Sequence, residues 1–132
     1  MTEIKAINPW KWQEKFGFSQ ALDVRGGRRI VFIAGQTSVD ENGNPLHVQD
    51  MAKQVTQSLD NLEIVLNQAG LTWANVTRLN YYTTDVAAFS RAAPVFGPRL
   101  AAAGCKPAST LLGVAALFHP DIMIEIEATA VE

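Results

Sequence analysis

The sequence has little of what would staple, anchor or spread a chain. Its single cysteine, Cys105, leaves no internal disulfide to form. The two histidines, His47 and His119, form no Cys/His grouping with zinc-ligand spacing, so no metal is expected. No apolar run approaches the ~20 residues that a bilayer-spanning helix needs, so no membrane partner is expected. Met1 to Trp12 mixes charge, Trp and Pro without the apolar centre of a secretory leader, and the cytoplasm is the expected location. A basic excess is missing too. Eleven Lys plus Arg against thirteen Asp plus Glu give a net charge of −2 and a pI near 5.6. A nucleic-acid binder normally carries a basic stripe, so nucleic acid is not an expected partner. Linkers, long charge runs and repeats are absent, and 132 residues suit one domain spanning 1–132.

What is present is core-forming material. Hydrophobic residues make up 48% and charged residues 18%, which excludes a disordered chain. Ile30-Val31-Phe32-Ile33-Ala34 is a short β-branched and aromatic run and predicts a strand over Arg29 to Ser38. Ser19 to Arg25 alternates, and with Gly26-Gly27 at the turn it predicts a hairpin onto that strand. Met51, Val55, Leu59, Leu62, Leu66 and Ala69 recur at three- and four-residue spacings and predict a helix from about Val48 to Ala69. Gln54, Gln57, Asp60, Glu63 and Asn67 fall largely off this stripe, and Gly70-Leu71 supplies its C-terminal stop. Thr77 to Thr83 reads as a strand. A second helix, Val86 to Ala103, contains Pro94 and Pro98 and is expected to be broken or kinked there. Ser109 to Leu117 and Ile122 to Val131 close the chain as strands around a Phe118-His119-Pro120-Asp121 turn.

The order ββ–α–β–α–ββ predicts an α+β sandwich of two layers, with both helices on one face of the sheet. In the last strand Ile122, Ile124, Ile126, Ala128 and Ala130 point one way, while Met123, Glu125, Glu127, Thr129 and Val131 point the other. The strand before it is apolar on both faces. A sheet whose second face stays largely apolar needs a cover, and a second copy of the chain is the simplest, so a homo-oligomer is expected.

Several segments then carry a resemblance. Ala34-Gly35-Gln36, Gln57-Ser58-Leu59-Asp60-Asn61-Leu62, Ala69-Gly70-Leu71, Pro107-Ala108-Ser109-Thr110 and Ile124-Glu125-Ile126-Glu127-Ala128-Thr129-Ala130-Val131, in this order and spacing, resemble the Rid superfamily. This is the YjgF-type group also called endoribonuclease L-PSP. The resemblance implies a chorismate-mutase-like fold with a mixed sheet, a homotrimeric barrel and small-molecule clefts at the three subunit boundaries. The best-known members of the family hydrolyse enamines and imines such as 2-aminoacrylate to a ketoacid and ammonia, without metal or cofactor. They hold the substrate carboxylate on an arginine directly after the Pro-Ala pair.

Here that arginine position is Ser109, and Leu111 stands where the deaminases often have Cys. Phe18 replaces the tyrosine of a Gly-Pro-Tyr-Ser-Gln motif, Ala34 a serine and Ala93 an asparagine. Gly35 and Glu125 remain. The resemblance therefore implies Glu125 as the catalytic group, orienting or activating a water, with Phe18, Gly35, Ser109 and Leu111 (and Phe96 as a further wall) binding the ligand. Loss of a bidentate charge-assisted contact removes on the order of 1.5–3 kcal/mol. A standard 2-aminoacrylate deaminase is accordingly not expected. A hydrolase or deaminase of neutral imines is, with a non-catalytic ligand-binding or regulatory trimer as the alternative. A ribonuclease finds no basic patch or His pair. Either Arg91 or Arg99 of a neighbouring subunit is open as a substitute cation, while His47 and His119 read as turn residues and Cys105 as an unactivated thiol. Trp10, Trp12 and Trp73 read as packing residues, the first two also as a lid over a cleft.

Overall fold

The computed structural model describes residues 2–132. Its eight regular elements of strand and α-helix are β1 (Glu3–Ile7), β2 (Ala21–Arg25), β3 (Ile30–Thr37), α1 (Met51–Gln68), β4 (Val76–Thr83), α2 (Val86–Ala102), β5 (Ala108–Gly113) and β6 (Ile124–Val131). Short 3-10 turns fill Trp12–Phe16 and Trp73–Asn75. A four-stranded sheet has the order β3-β6-β4-β5, and β1-β2 form a separate antiparallel ribbon. Within the four-stranded sheet only β4 and β5 run parallel, with α2 as the crossover such a pair requires. The expected two-layer α+β sandwich with a mixed sheet is what forms.

Both helices begin at an aspartate. Asp50 accepts the Lys53 N–H and Asp85 the Ala88 N–H, each satisfying one of the donors that a helix start leaves free. Helix α1 ends as expected. Gly70 takes φ +74°, and the Leu71 N–H reaches back to the Leu66 carbonyl at 2.9 Å. The stripe Met51, Val55, Leu59, Leu62 and Leu66 is buried against Ile124, Ile126, Ala128 and Ala130 in one core. From Ile124 to Ala130 the inward and outward faces of β6 are those its alternation predicted, while Val131, expected outward, is buried.

Three expectations are corrected. β2 pairs with β1, not β3, whose sheet neighbour is β6. After the Gly26-Gly27 turn, the backbone N–H groups of Arg28 and Arg29 go to the Glu132 carbonyl and both guanidiniums pair with its carboxylate, so the C-terminus claims this segment. Helix α2 is continuous through Pro94 and Pro98. Ser90, Pro94 and Pro98 are all exposed, so the carbonyls that lose their donors face water rather than core. Finally, β5 stops at Gly113 instead of Leu117, because its partner β4 ends at Thr83. The Val114 N–H makes a last bond to the Thr83 carbonyl at 2.8 Å, and the chain then leaves the sheet.

Gln54, expected off the apolar stripe, is fully buried. Its carboxamide donates to the carbonyls of Asp121 (2.7 Å) and His47 (3.2 Å) and accepts the Met123 N–H (2.9 Å), tying α1 to the start of β6. Trp73 is buried as expected and donates to Glu63 at 2.6 Å, whereas Trp10 and Trp12 are exposed. Phe96 packs with Phe89 and Tyr81 in the core, so it is no cleft wall. Cys105 is buried, and burial pushes its thiol up to about 12, well away from reactive thiolate character.

Candidate functional site

The face of the sheet away from the helices carries the chemistry. β4 and β6 lie antiparallel with Asn80 opposite Glu127 and Tyr82 opposite Glu125, so the polar alternates of both strands share this face. The Tyr82 hydroxyl donates to Glu127 Oε1 at 2.5 Å, and the Asn80 amide donates to the same oxygen at 3.1 Å. These two bonds, the phenol first, hold the Glu127 carboxyl below its ordinary value, and the same bond raises the Tyr82 phenol. Glu127 is therefore a fixed, already partnered negative charge.

Glu125, two residues earlier on the same face, lies about 7 Å along the strand from Glu127. Its surroundings follow from the irregularity in β3 between Ile33 and Gln36, where Gly35 passes close to β6. A Cβ at Gly35 would stand 2.6 Å from Glu125 Cδ, so the carboxylate occupies space that only glycine leaves free. Gly35, Tyr82, Glu125 and Glu127, with Val114, Ala116 and Leu117 from the segment after β5, line a cleft of ≈ 270 Å³. Two carboxylates and a phenol face apolar walls there, and among the described residues no cation lines the cleft. Among the described residues no three His, Cys, Asp or Glu side chains converge on a metal position.

The other sequence-derived site residues lie elsewhere in the protomer. Ser109 pairs with Leu79 on β4, and its hydroxyl donates to the Leu79 carbonyl at 2.5 Å, so its hydrogen is spent inside the sheet. Leu111 lies two residues on at the exposed sheet edge. Phe18 stacks edge-on against Trp12 at 5.8 Å. Next to it, Ser19 is held to the start of β5 by its N–H to the Pro107 carbonyl and its hydroxyl to the Lys106 carbonyl. The chain thus brings Gly35 and Glu125 together, while Phe18 before β2 and Ser109 and Leu111 on β5 do not line the Glu125 cleft of the same protomer. Of the arginines considered as substitute cations, Arg99 is engaged by Asp60 (2.7 Å) and Glu63 (3.6 Å) on α1, and Arg91 is exposed. Tyr82 and Asn80 were not singled out from sequence. Their signal is the polar period of Arg78, Asn80 and Tyr82 in β4, which acquires meaning only once β4 is paired with β6.

A family model described as Endoribonuclease L-PSP matches residues 13–132. The chain belongs to this Rid family. Its similarity to solved Rid structures extends over the whole molecule. A Rid family protein of unknown function from Yersinia pestis, YyfB, shares 36% identity and superposes with a TM-score of 0.85, covering 98% of both chains. A RutC family protein of Aquifex aeolicus is 30% identical over 112 residues, 84% of this chain and 86% of the relative. The mouse protein named 2-iminobutanoate/2-iminopropanoate deaminase is 30% identical over 129 residues, 97% of this chain and 91% of the relative.

Proposed function

We propose that this Rid protein hydrolyses or deaminates a neutral enamine, imine or related small molecule, and that it is not a standard 2-aminoacrylate deaminase. The observation that carries the reading is the Glu125 carboxylate seated over Gly35 in a cleft whose only lining charges are negative. A carboxylate-bearing substrate meets repulsion from Glu125 and Glu127 there, and Ser109 offers a hydroxyl already committed to Leu79. In the reaction, Glu125 accepts a proton from a bound water as the water oxygen bonds to the imine carbon. That proton passes from Glu125 to the nitrogen to give a carbinolamine, whose hydroxyl proton then moves through Glu125 to the nitrogen as the carbon–nitrogen bond breaks and a carbonyl compound and ammonia leave. Glu127, held by Tyr82 and Asn80 two residues further along the same strand face, keeps the cleft charged and fixed beside it.

Phe18, Ser109 and Leu111 complete this site from a neighbouring copy. The support is their separation from Gly35 and Glu125 within one protomer, together with the exposed apolar side chains of the open sheet face, Phe32 at 80% and Ile30 at 60%. A homotrimer with clefts at its three boundaries satisfies both features, in a cytoplasmic protein that needs no metal or cofactor. The test is ammonia release from a panel of neutral and aromatic imines beside 2-aminoacrylate, with Glu125→Gln as the control. Turnover of neutral imines, lost in the variant, is expected. No turnover of any imine by an intact trimer would overturn the reading.

A second reading, a non-catalytic ligand-binding or regulatory trimer, draws on the spent hydroxyl of Ser109 and the apolar Leu111. It predicts a metabolite that raises Tm by mass action without being consumed.

A further inference from the structure

A second cavity, of ≈ 560 Å³, shares no lining residue with the Glu125 cleft of the same protomer, although Phe18, assigned above to the cleft of a neighbouring copy, forms one of its walls. It lies beneath the N-terminal segment, where β1 and the Trp12–Phe16 turn cover the first residues of β4 and the end of the α2–β5 connection. Ile4, Ala6, Phe18, Leu22 and Val76 supply apolar surface for about half of its wall, and polar groups, among them the amides of Asn8 and Gln13, supply the rest. Gln13 is only 1% exposed, and its Oε1 is buried without any hydrogen-bond donor. Native folds rarely leave such an acceptor unmet.

Two nearby donors are already used, while the Gln20 side-chain amide is itself buried with Nε2 unpartnered. The Ser19 hydroxyl goes to the Lys106 carbonyl at 2.8 Å, and the Gln20 N–H goes to Asn8 Oδ1 at 2.7 Å. The charged lining residues, Glu14 and Lys106, are exposed and opposite in sign, so the cavity favours neither anions nor cations. Its volume lies within the range of small-molecule sites.

We propose that this cavity binds a neutral molecule with a ring-sized apolar body and an amide-type N–H. The N–H donates to Gln13 Oε1 while the body packs against Phe18 and Val76. The ligand class follows from what Gln13 Oε1 lacks, which is one donor, and from what the walls offer, which is apolar surface beside polar groups without net charge.

The probe is benzamide, with N,N-dimethylbenzamide as the analogue of nearly the same body that has no N–H. Both are titrated into the full-length protein by calorimetry and soaked into crystals. Benzamide is expected to bind in the millimolar range with its N–H on Gln13, and the dimethyl analogue about tenfold or more weakly. Gln13→Leu is expected to abolish the preference. Ala74→Leu, which fills the cavity from a lining position and leaves Gln13 in place, is expected to weaken benzamide as well. Equal affinity for the two amides, binding of neither, an ordered water alone on Gln13 Oε1, or benzamide found only beside Glu125 would each overturn the proposal.

Discussion

Replacing Gly35 by alanine separates the position of Glu125 from its presence. The added methyl would stand 2.6 Å from Glu125 Cδ, a full ångström inside ordinary contact, so one of the two must move. Gly35 is not among the glycines with positive φ, so alanine brings no backbone strain there. The obstructing group is the free end of a glutamate chain, which can swing away. The fold should therefore survive with a stability change within about 0.5 kcal/mol. The carboxylate, however, is displaced by an ångström or more, and misplacement on that scale costs roughly a hundredfold in rate. Urea denaturation and steady-state ammonia release on the same preparation check both halves. Because the two changes act through one group, Gly35→Ala added to Glu125→Gln should lower activity no further than Glu125→Gln alone. Full activity in Gly35→Ala, or losses that multiply in the double variant, would refute the argument that Gly35 serves Glu125.

Ser109→Arg should restore a carboxylate anchor, and calorimetry should show a short ketoacid binding roughly 10- to 100-fold more tightly than to the parent, with 2-aminoacrylate turnover rising in step. Gln54→Ala strands two carbonyls and one N–H in a fully buried site, and urea denaturation should show a loss of about 2–4 kcal/mol. Tyr82→Phe should lower stability in a pH-dependent way. The Glu127 value is depressed below 4.5 and the Tyr82 value raised above 10.0, so the bond contributes fully between those limits. The stability gap between parent and variant should hold at neutral pH, close as pH falls below 4.5 through the folded value of Glu127, and close again as pH rises above 10. A gap that is the same at pH 3 and pH 7 would contradict the assignment.

What was legible in the sequence was whatever repeats along a single element. The stripe of α1 and the alternation of β6 record which side each residue faces, and the buried sets follow them except at Gln54 and Ser58 on α1 and Val131 on β6, which are buried as well. Partnership between distant elements was not legible. β1 is exposed along its whole length, so it carries no inward alternation to betray a strand, and with β1 unseen β2 was assigned to β3. The prolines of α2 were read for their missing N–H groups, while the exposure that makes the loss tolerable depends on how the helix packs. At the site the same division holds. Gly35 and Glu125 were found through the family's motifs, and the structure adds their mutual contact. The Tyr82–Glu127–Asn80 cluster spans strands some forty-five positions apart, and the bond from Ser109 to Leu79 crosses from β5 to β4; neither has a signal inside one segment.

The most direct measurement is a titration of the unaltered protein with pyruvate, followed by a crystal soak at the same millimolar concentration. A cleft lined by Glu125 and Glu127, with a committed hydroxyl at Ser109, predicts no saturable heat and no carboxylate beside Ser109. Saturable binding, with the pyruvate carboxylate resolved next to Ser109, would contradict the account and restore ordinary ketoacid-forming imines as the substrates.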